Sequence, residues 1–199
     1  MTKQKIVNKQ IQNFWSLNAN EVYVASWLKD ELGPNYEVFF PANSRFPYVD
    51  LIVFNSKNKE TTTVQVKSSQ SYSGKYEDGE YWGSGHDIQL DKINPEKVDF
   101  FIFPCYYPMT IKKKTGNSMD ITKYFVVFQT SELKKYVRKF KKQKLNKSGR
   151  IPFSFCIYPD DTAIYDEGGI KEQHVESDEM MLVLRNARDN SKIIKKRLQ

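Results

Sequence analysis

The chain predicts one α/β or α+β domain with a mixed set of strands and helices between them. A helix-period segment comes first, runs of β-branched and aromatic residues follow, and a second helix-period segment falls after several of those strands. At 199 residues, with 39% hydrophobic and 28% charged side chains, the chain has enough apolar area for one real core and is not broadly disordered.

The first periodic segment runs from about Leu17 to Leu32 and stops at Gly33-Pro34, a helix-ending pair. Leu17, Val24, Ala25, Leu28 and Leu32 share one stripe at about 100° per residue, and Glu21 falls in the middle of it. A carboxylate on a buried face must be paired, protonated or bound to a cation. Extended segments follow at 36–40 (YEVFF), 49–55 (VDLIVFN) and 61–67 (TTTVQVK), the last two reading as a hairpin across the polar turn 56–60. The unbroken apolar character of 51–54 predicts a strand covered on both faces.

Residues 70–87 hold four of the nine glycines with Tyr72, Tyr76, Tyr81 and Trp82, and read as a long irregular loop. A short helix over 87–93, a buried strand over 98–107, a lysine-rich turn over 111–120 and a strand over 123–129 come next. Thr130-Ser131 then caps a helix from about Glu132 to Leu145, with Leu133, Tyr136, Val137 and Phe140 as its apolar face. A strand is expected at 151–159, and the tail ends in KIIKKRLQ, a basic segment expected to fray. The whole chain, 1–199, reads as a single domain with a core of about 15–159 and a C-terminal extension over 160–199.

Two cysteines, Cys105 and Cys156, both inside apolar runs, exclude a disulfide scaffold and a cysteine metal site. His86 and His174 have no ligand spacing, which argues against zinc. The N-terminal residues lack the apolar stretch of a signal peptide and no run is long enough to span a bilayer, so the expectation is a cytoplasmic protein with no membrane partner. The net charge of +7 is uneven: residues 1–100 hold 11 basic and 13 acidic side chains, residues 101–199 hold 20 and 11. That asymmetry suggests a polyanion partner for the second half.

Three features bring chemistry to one place. Asp50 lies at the start of a buried strand, where a lone charge is costly. Gln65 and Lys67 are two apart on the next strand and so share a face, with Val64 and Val66 on the other. Glu21 sits on the core side of the preceding helix. If that helix packs beside the two strands, all four meet at one end of the sheet. Two carboxylates and an amide oxygen then make a hard-donor pocket suited to Mg²⁺.

The pattern Glu21-x(28)-Asp50-x(14)-Gln65-x-Lys67, with the aspartate in an apolar strand, resembles the PD-(D/E)XK nuclease superfamily of restriction-endonuclease-like enzymes. The resemblance covers roughly residues 15–130. It implies an α/β restriction-endonuclease-like core, a central mixed β-sheet flanked by helices with the site at one sheet edge. It further implies that Asp50 and Glu21 are metal-binding carboxylates, that Gln65 replaces the usual acidic residue, that the Val66 carbonyl is a further ligand, and that Lys67 is the catalytic lysine. The cofactor is then Mg²⁺, or Mn²⁺ in its place. Glutamine for an acid removes one negative charge and weakens metal affinity. No proline immediately precedes Asp50, although Pro47 is close.

The implied activity is divalent-metal-dependent hydrolysis of DNA phosphodiester bonds, with nucleic acid as the partner, DNA before RNA. Lys67 is read as stabilising transition-state charge rather than acting as a base. Ser68 and Ser69 are candidate phosphate contacts beside it. Lys134, Lys135, Arg138, Lys139, Lys141 and Lys142 on the basic helix are candidate DNA-backbone contacts. Double-strand cleavage calls for two sites and hence a homodimer. Two alternatives remain open: a catalytically inactive nuclease-fold protein acting as a nucleic-acid-binding or regulatory module, and a basic α/β protein in which Asp50 and Glu21 are paired structurally.

Overall fold

Asn18 starts the first helix, its side chain accepting the Asn20 N–H at 3.0 Å while its carbonyl accepts from Glu21 and Val22. The computed structural model describes residues 18–41, 48–67, 70–76, 79–113, 116–138, 152–157, 163–166, 174–175 and 186–199. Helix α1 (Ala19–Leu32) ends at Gly33, whose φ of 90° suits glycine and whose N–H returns to the Lys29 carbonyl at 3.2 Å. Val24, Ala25, Leu28 and Leu32 are buried, as their spacing predicts; Leu17 lies outside the described residues.

The strands are β1 (Tyr36–Phe39), β2 (Leu51–Asn55), β3 (Thr61–Val66), β4 (Gln70–Tyr76), β5 (Gly79–Gln89), β6 (Phe100–Lys113), β7 (Gly116–Gln129), β8 (Pro152–Ile157), β9 (Ala163–Asp166) and β10 (His174–Val175). Helices α2 (Thr130–Arg138) and α3 (Lys192–Arg197) complete the described elements, with a 3₁₀ turn at Leu90–Lys92. One sheet is mixed, in the order β1-β2-β3-β6-β7, with β3 and β6 parallel and its other pairs antiparallel. The other is antiparallel, in the order β10-β9-β8-β5-β4. A five-stranded mixed sheet flanked by helices makes this an α/β fold.

Side-chain alternation divides the mixed sheet into two faces. Leu51, Val53, Val64, Val66, Phe100, Ile102, Phe125 and Val127 meet the buried stripe of α1. Trp27 stacks on Phe125 with ring centroids 4.3 Å apart. On the opposite face Phe101 lies 6.2 Å from Phe103, and Phe128 meets Phe103 edge-on at 6.1 Å. Helix α2 packs against β6 and β7, and its Leu133 is fully buried. At the entrance to β6, Asp99 Oδ2 accepts the Thr62 hydroxyl, the Thr63 N–H and the Thr63 hydroxyl at 2.9–3.0 Å.

Several expectations change. The lysine-rich turn expected over 111–120 is mostly strand, because β6 and β7 pair as far as Lys113 and Gly116. Residues 70–87 are not irregular: β4 and β5 pair along their length, and β5 also pairs with β8. A glycine- and serine-rich segment with little apolar alternation becomes strand because β4 and β5 partner each other and distant β8 partners the second half of β5. The short helix expected at 87–93 is the end of β5 followed by one 3₁₀ turn. Strand β2 is fully buried only on the α1 side, with Ile52 and Phe54 half-buried on the other. The end of the chain does not fray, because Ile194 and Leu198 enter the α1 core and the Leu198 carbonyl accepts from Asn55 and Asn58 at 3.0 and 2.7 Å. Thr130 is itself the first residue of α2, and its buried hydroxyl has no hydrogen-bond partner among the described residues. Helix α2 is described only to Arg138, so its expected continuation to Leu145 lies outside the described residues. Among the described residues, no helix is long and apolar enough to cross a membrane.

Candidate active site

The β2–β3 hairpin opens at the end where β2 begins and β3 finishes. Leu51 is the last β2 residue paired with β3, opposite Val64, and the Asp50 N–H still reaches the Val64 carbonyl at 2.9 Å. The next donor along β3, the Val66 N–H, has no strand partner on that side. The Asp50 carboxylate takes its place, Oδ2 accepting that N–H at 2.7 Å. The Gln65 side-chain amide donates to the same Oδ2 and lies 3.5 Å from the Val66 carbonyl oxygen. On the other side of β3 the Lys67 N–H donates to the Ile102 carbonyl at 3.0 Å, continuing the parallel pairing with β6. Lys67 Nζ lies 5.7 Å from the centre of the Phe101 ring.

Glu21, in the first turn of α1, completes the group electrostatically. Burial, and then the negative charge of Asp50, push its carboxyl up to about 7 against a hydrogen bond from the backbone near Asn18 that lowers it. Burial also raises Asp50, opposed by the Val66 N–H, the Lys67 charge and the Gln65 amide. Lys67 is lowered by burial, against the pull of Asp50, with the Lys92 charge adding to the lowering. Each of these four side chains therefore feels at least one of the others. Asp50 immediately precedes β2, Gln65 lies in β3, Lys67 immediately follows it and Glu21 is in α1, so the group belongs to one end of the interior strands rather than to an edge strand.

Whether this group suits a divalent cation is decided by its donors. The Asp50 charge raises the proton affinity of Glu21, so the two carboxylates form a site that a cation would relieve. The Val66 carbonyl and the Gln65 amide, whose oxygen is the hard donor of that group, lie beside them. All are oxygen donors of the kind Mg²⁺ and Mn²⁺ take, so the residues fit. Among the described residues no three histidine, cysteine or acidic side chains come together. The site contains only two, with an amide and a carbonyl beside them.

The basic helix is less fully described. Lys134 is half-buried and Lys135 exposed, the latter bonded to Glu132 at 2.7 Å. Arg138 ends α2, while Ser68, Ser69, Lys139, Lys141 and Lys142 lie outside the described residues. Sequence reasoning missed Tyr48, Lys92 and Lys97. Lys92 Nζ and Lys97 Nζ lie 5.1 and 4.3 Å from the centre of the Tyr48 ring, two residues ahead of Asp50. Nothing local links an aromatic at 48 to lysines more than forty residues on; only the fold brings them together. The chain matches no protein-family model, no curated protein and no solved structure.

Proposed function

We propose that the chain is a divalent-metal-dependent endonuclease that hydrolyses DNA, built on a restriction-endonuclease-like core. The observation that carries this reading is the Asp50 carboxylate at the open end of the hairpin, bonded to Gln65 and Val66 and electrostatically coupled to Glu21 and Lys67. Glu21, Asp50, Gln65 and the Val66 carbonyl would hold Mg²⁺ or Mn²⁺. A bound cation supplies two things that phosphodiester hydrolysis needs, a more acidic water and neutralisation of phosphate charge. Lys67 holds positive charge against the developing negative charge of the scissile phosphate, from a partly desolvated position where that charge acts strongly. The Asp50 charge raises the proton affinity of Lys67 in opposition to burial. Cleavage of both strands calls for two such sites, so the active form is a homodimer, and the basic second half of the chain holds the DNA backbone.

The test is nicking of supercoiled plasmid in Mg²⁺ or Mn²⁺ by the purified protein and by Asp50→Ala and Lys67→Ala. Metal-dependent cleavage abolished in both variants supports the reading. Cleavage that persists in both overturns it.

One observation favours a second reading. The Gln65 amide already satisfies Asp50 without a cation. On that reading the protein is a catalytically inactive nuclease-fold module that binds nucleic acid. Its signature is salt-sensitive DNA binding with no heat of Mg²⁺ or Mn²⁺ binding in calorimetry.

A further inference from the structure

Next to the carboxylate pocket lies a group of cations that the catalytic reading does not use. Tyr48 is half-buried at the approach to Asp50. The ammonium groups of Lys92 and Lys97 both stand over its ring, at 5.1 and 4.3 Å from the centroid. A ring face attracts an ammonium and restricts its wandering. The segment that carries the lysines is itself anchored, because Ile88, Ile93 and Val98 are all buried, at 2%, 2% and 1% exposure. Lys92 is near enough to Lys67 for its charge to oppose the Lys67 ammonium.

Neither Lys92 nor Lys97 has an ion-pair partner among the described residues. Asp99, the acid that follows them, is engaged by Thr62 and Thr63. Two lysines held over one ring, with no ion-pair partner among the described residues, are poorly arranged for the protein alone. They are well arranged for a chain of phosphates.

We propose that Tyr48, Lys92 and Lys97 form a shelf for the DNA backbone, seating the phosphates that flank the one held at Lys67. The location beside the scissile phosphate rests on the endonuclease reading; the binding of backbone phosphate does not. Lys92, whose charge reaches Lys67, takes the nearer phosphate, and Lys97 the one beyond. Tyr48 keeps both ammonium groups in place and so joins the shelf to the strand that carries Asp50.

The experiment measures binding of a fluorescent 20-base-pair duplex in EDTA, where no cleavage intervenes, across a series of salt concentrations. Each phosphate that a lysine no longer neutralises lowers the slope of log affinity against log salt by about 0.9. The double variant Lys92→Ala/Lys97→Ala is expected to bind about tenfold more weakly or worse at low salt, with the slope reduced by nearly 2. Tyr48→Ala should weaken binding while Tyr48→Phe should not, since the ring and not the hydroxyl holds the lysines. Lys59→Ala is the control, because Lys59 also stands over an aromatic ring, Phe54 at 5.7 Å, but in the turn that closes the other end of the hairpin. An unchanged slope in the double variant overturns the shelf, and so does an equal weakening in Lys59→Ala. If the protein never cleaves DNA yet the slope of the double variant falls as described, the shelf stands and the endonuclease reading falls. If cleavage is established and the slope does not move, the shelf alone falls.

Discussion

The Asp50 carboxylate accepts the Val66 N–H at 2.7 Å, doing for β3 what another residue of β2 would otherwise do. One side chain thus closes the hairpin and supplies the negative charge of the candidate site. Its two roles respond differently to substitution. Asp50→Ala leaves the buried Val66 N–H without an acceptor, at a cost of about 1–3 kcal/mol in urea unfolding. Asp50→Asn keeps an oxygen there and removes a charge that burial disfavours. The folded protein raises the Asp50 pKa above its ordinary 3.8, so the stability that depends on protonation is present below that value and is lost as pH rises. Metal-free Asp50→Asn is therefore expected to be more stable than the parent at pH 8, to converge with it near pH 3, and to be inactive in plasmid nicking throughout.

Glu21 gives a pH signature of its own. Its pKa rises from 4.5 to about 7 on folding, so the metal-free protein has its full Glu21-linked stability below pH 4.5 and loses it as pH rises through about 7. Glu21→Gln should match the parent at pH 4 and exceed it at pH 8 by about 1 kcal/mol, a value reduced from the full linkage because the group is only half-buried. Thermal unfolding at the two pH values in EDTA measures it. If Glu21 helps hold a cation, adding Mn²⁺ will stabilise the parent more than the variant at pH 8. An equal gain in both would leave Glu21 a structural acid.

Gln65→Glu restores a third negative charge. In EDTA the variant should unfold more easily at pH 8 than the parent, because two carboxylates then share the space beside the Val66 carbonyl. In Mg²⁺ the order should reverse, with a larger rise in Tm and cleavage that saturates at a lower metal concentration, by about tenfold. A variant that gains metal binding and activity from an inactive parent would identify the parent as the nuclease-fold binding module.

Ile194→Ala removes a fully buried side chain from α3. The expected destabilisation is about 2–4 kcal/mol in urea unfolding, comparable with a position in α1 such as Leu28. A value below about 0.5 kcal/mol would show that α3 is dispensable to the core.

The residues that could be read from sequence are those whose environment is set by near neighbours. The stripe of α1, the hairpin of β2 and β3, and the anomaly of charged Glu21 and Asp50 among apolar residues all depend on spacings of one to four. The strands β4 and β5 could not be read this way, because their Gly- and Ser-rich segments have no alternation and become strand by pairing with each other and, for β5, with β8. The same holds for α3, a six-residue helix too short to stand without the core that Ile194 enters. At the site, Asp50, Gln65 and Lys67 were visible as a pattern along adjacent strands. Tyr48 and Lys92 were not, since the connection between β3 and β6 must fold before they meet.

Asp99 binds both Thr62 and Thr63 at the point where β6 enters beside β3. In a parallel pair, sliding one strand by a single residue turns every side chain over. Such a slip in β3 would turn Gln65 and Lys67 toward α1 and Val64 and Val66 toward the face that carries Phe101. An aspartate that touches none of the candidate catalytic groups thus acts as a registration pin, deciding on which side of the sheet the chemistry appears.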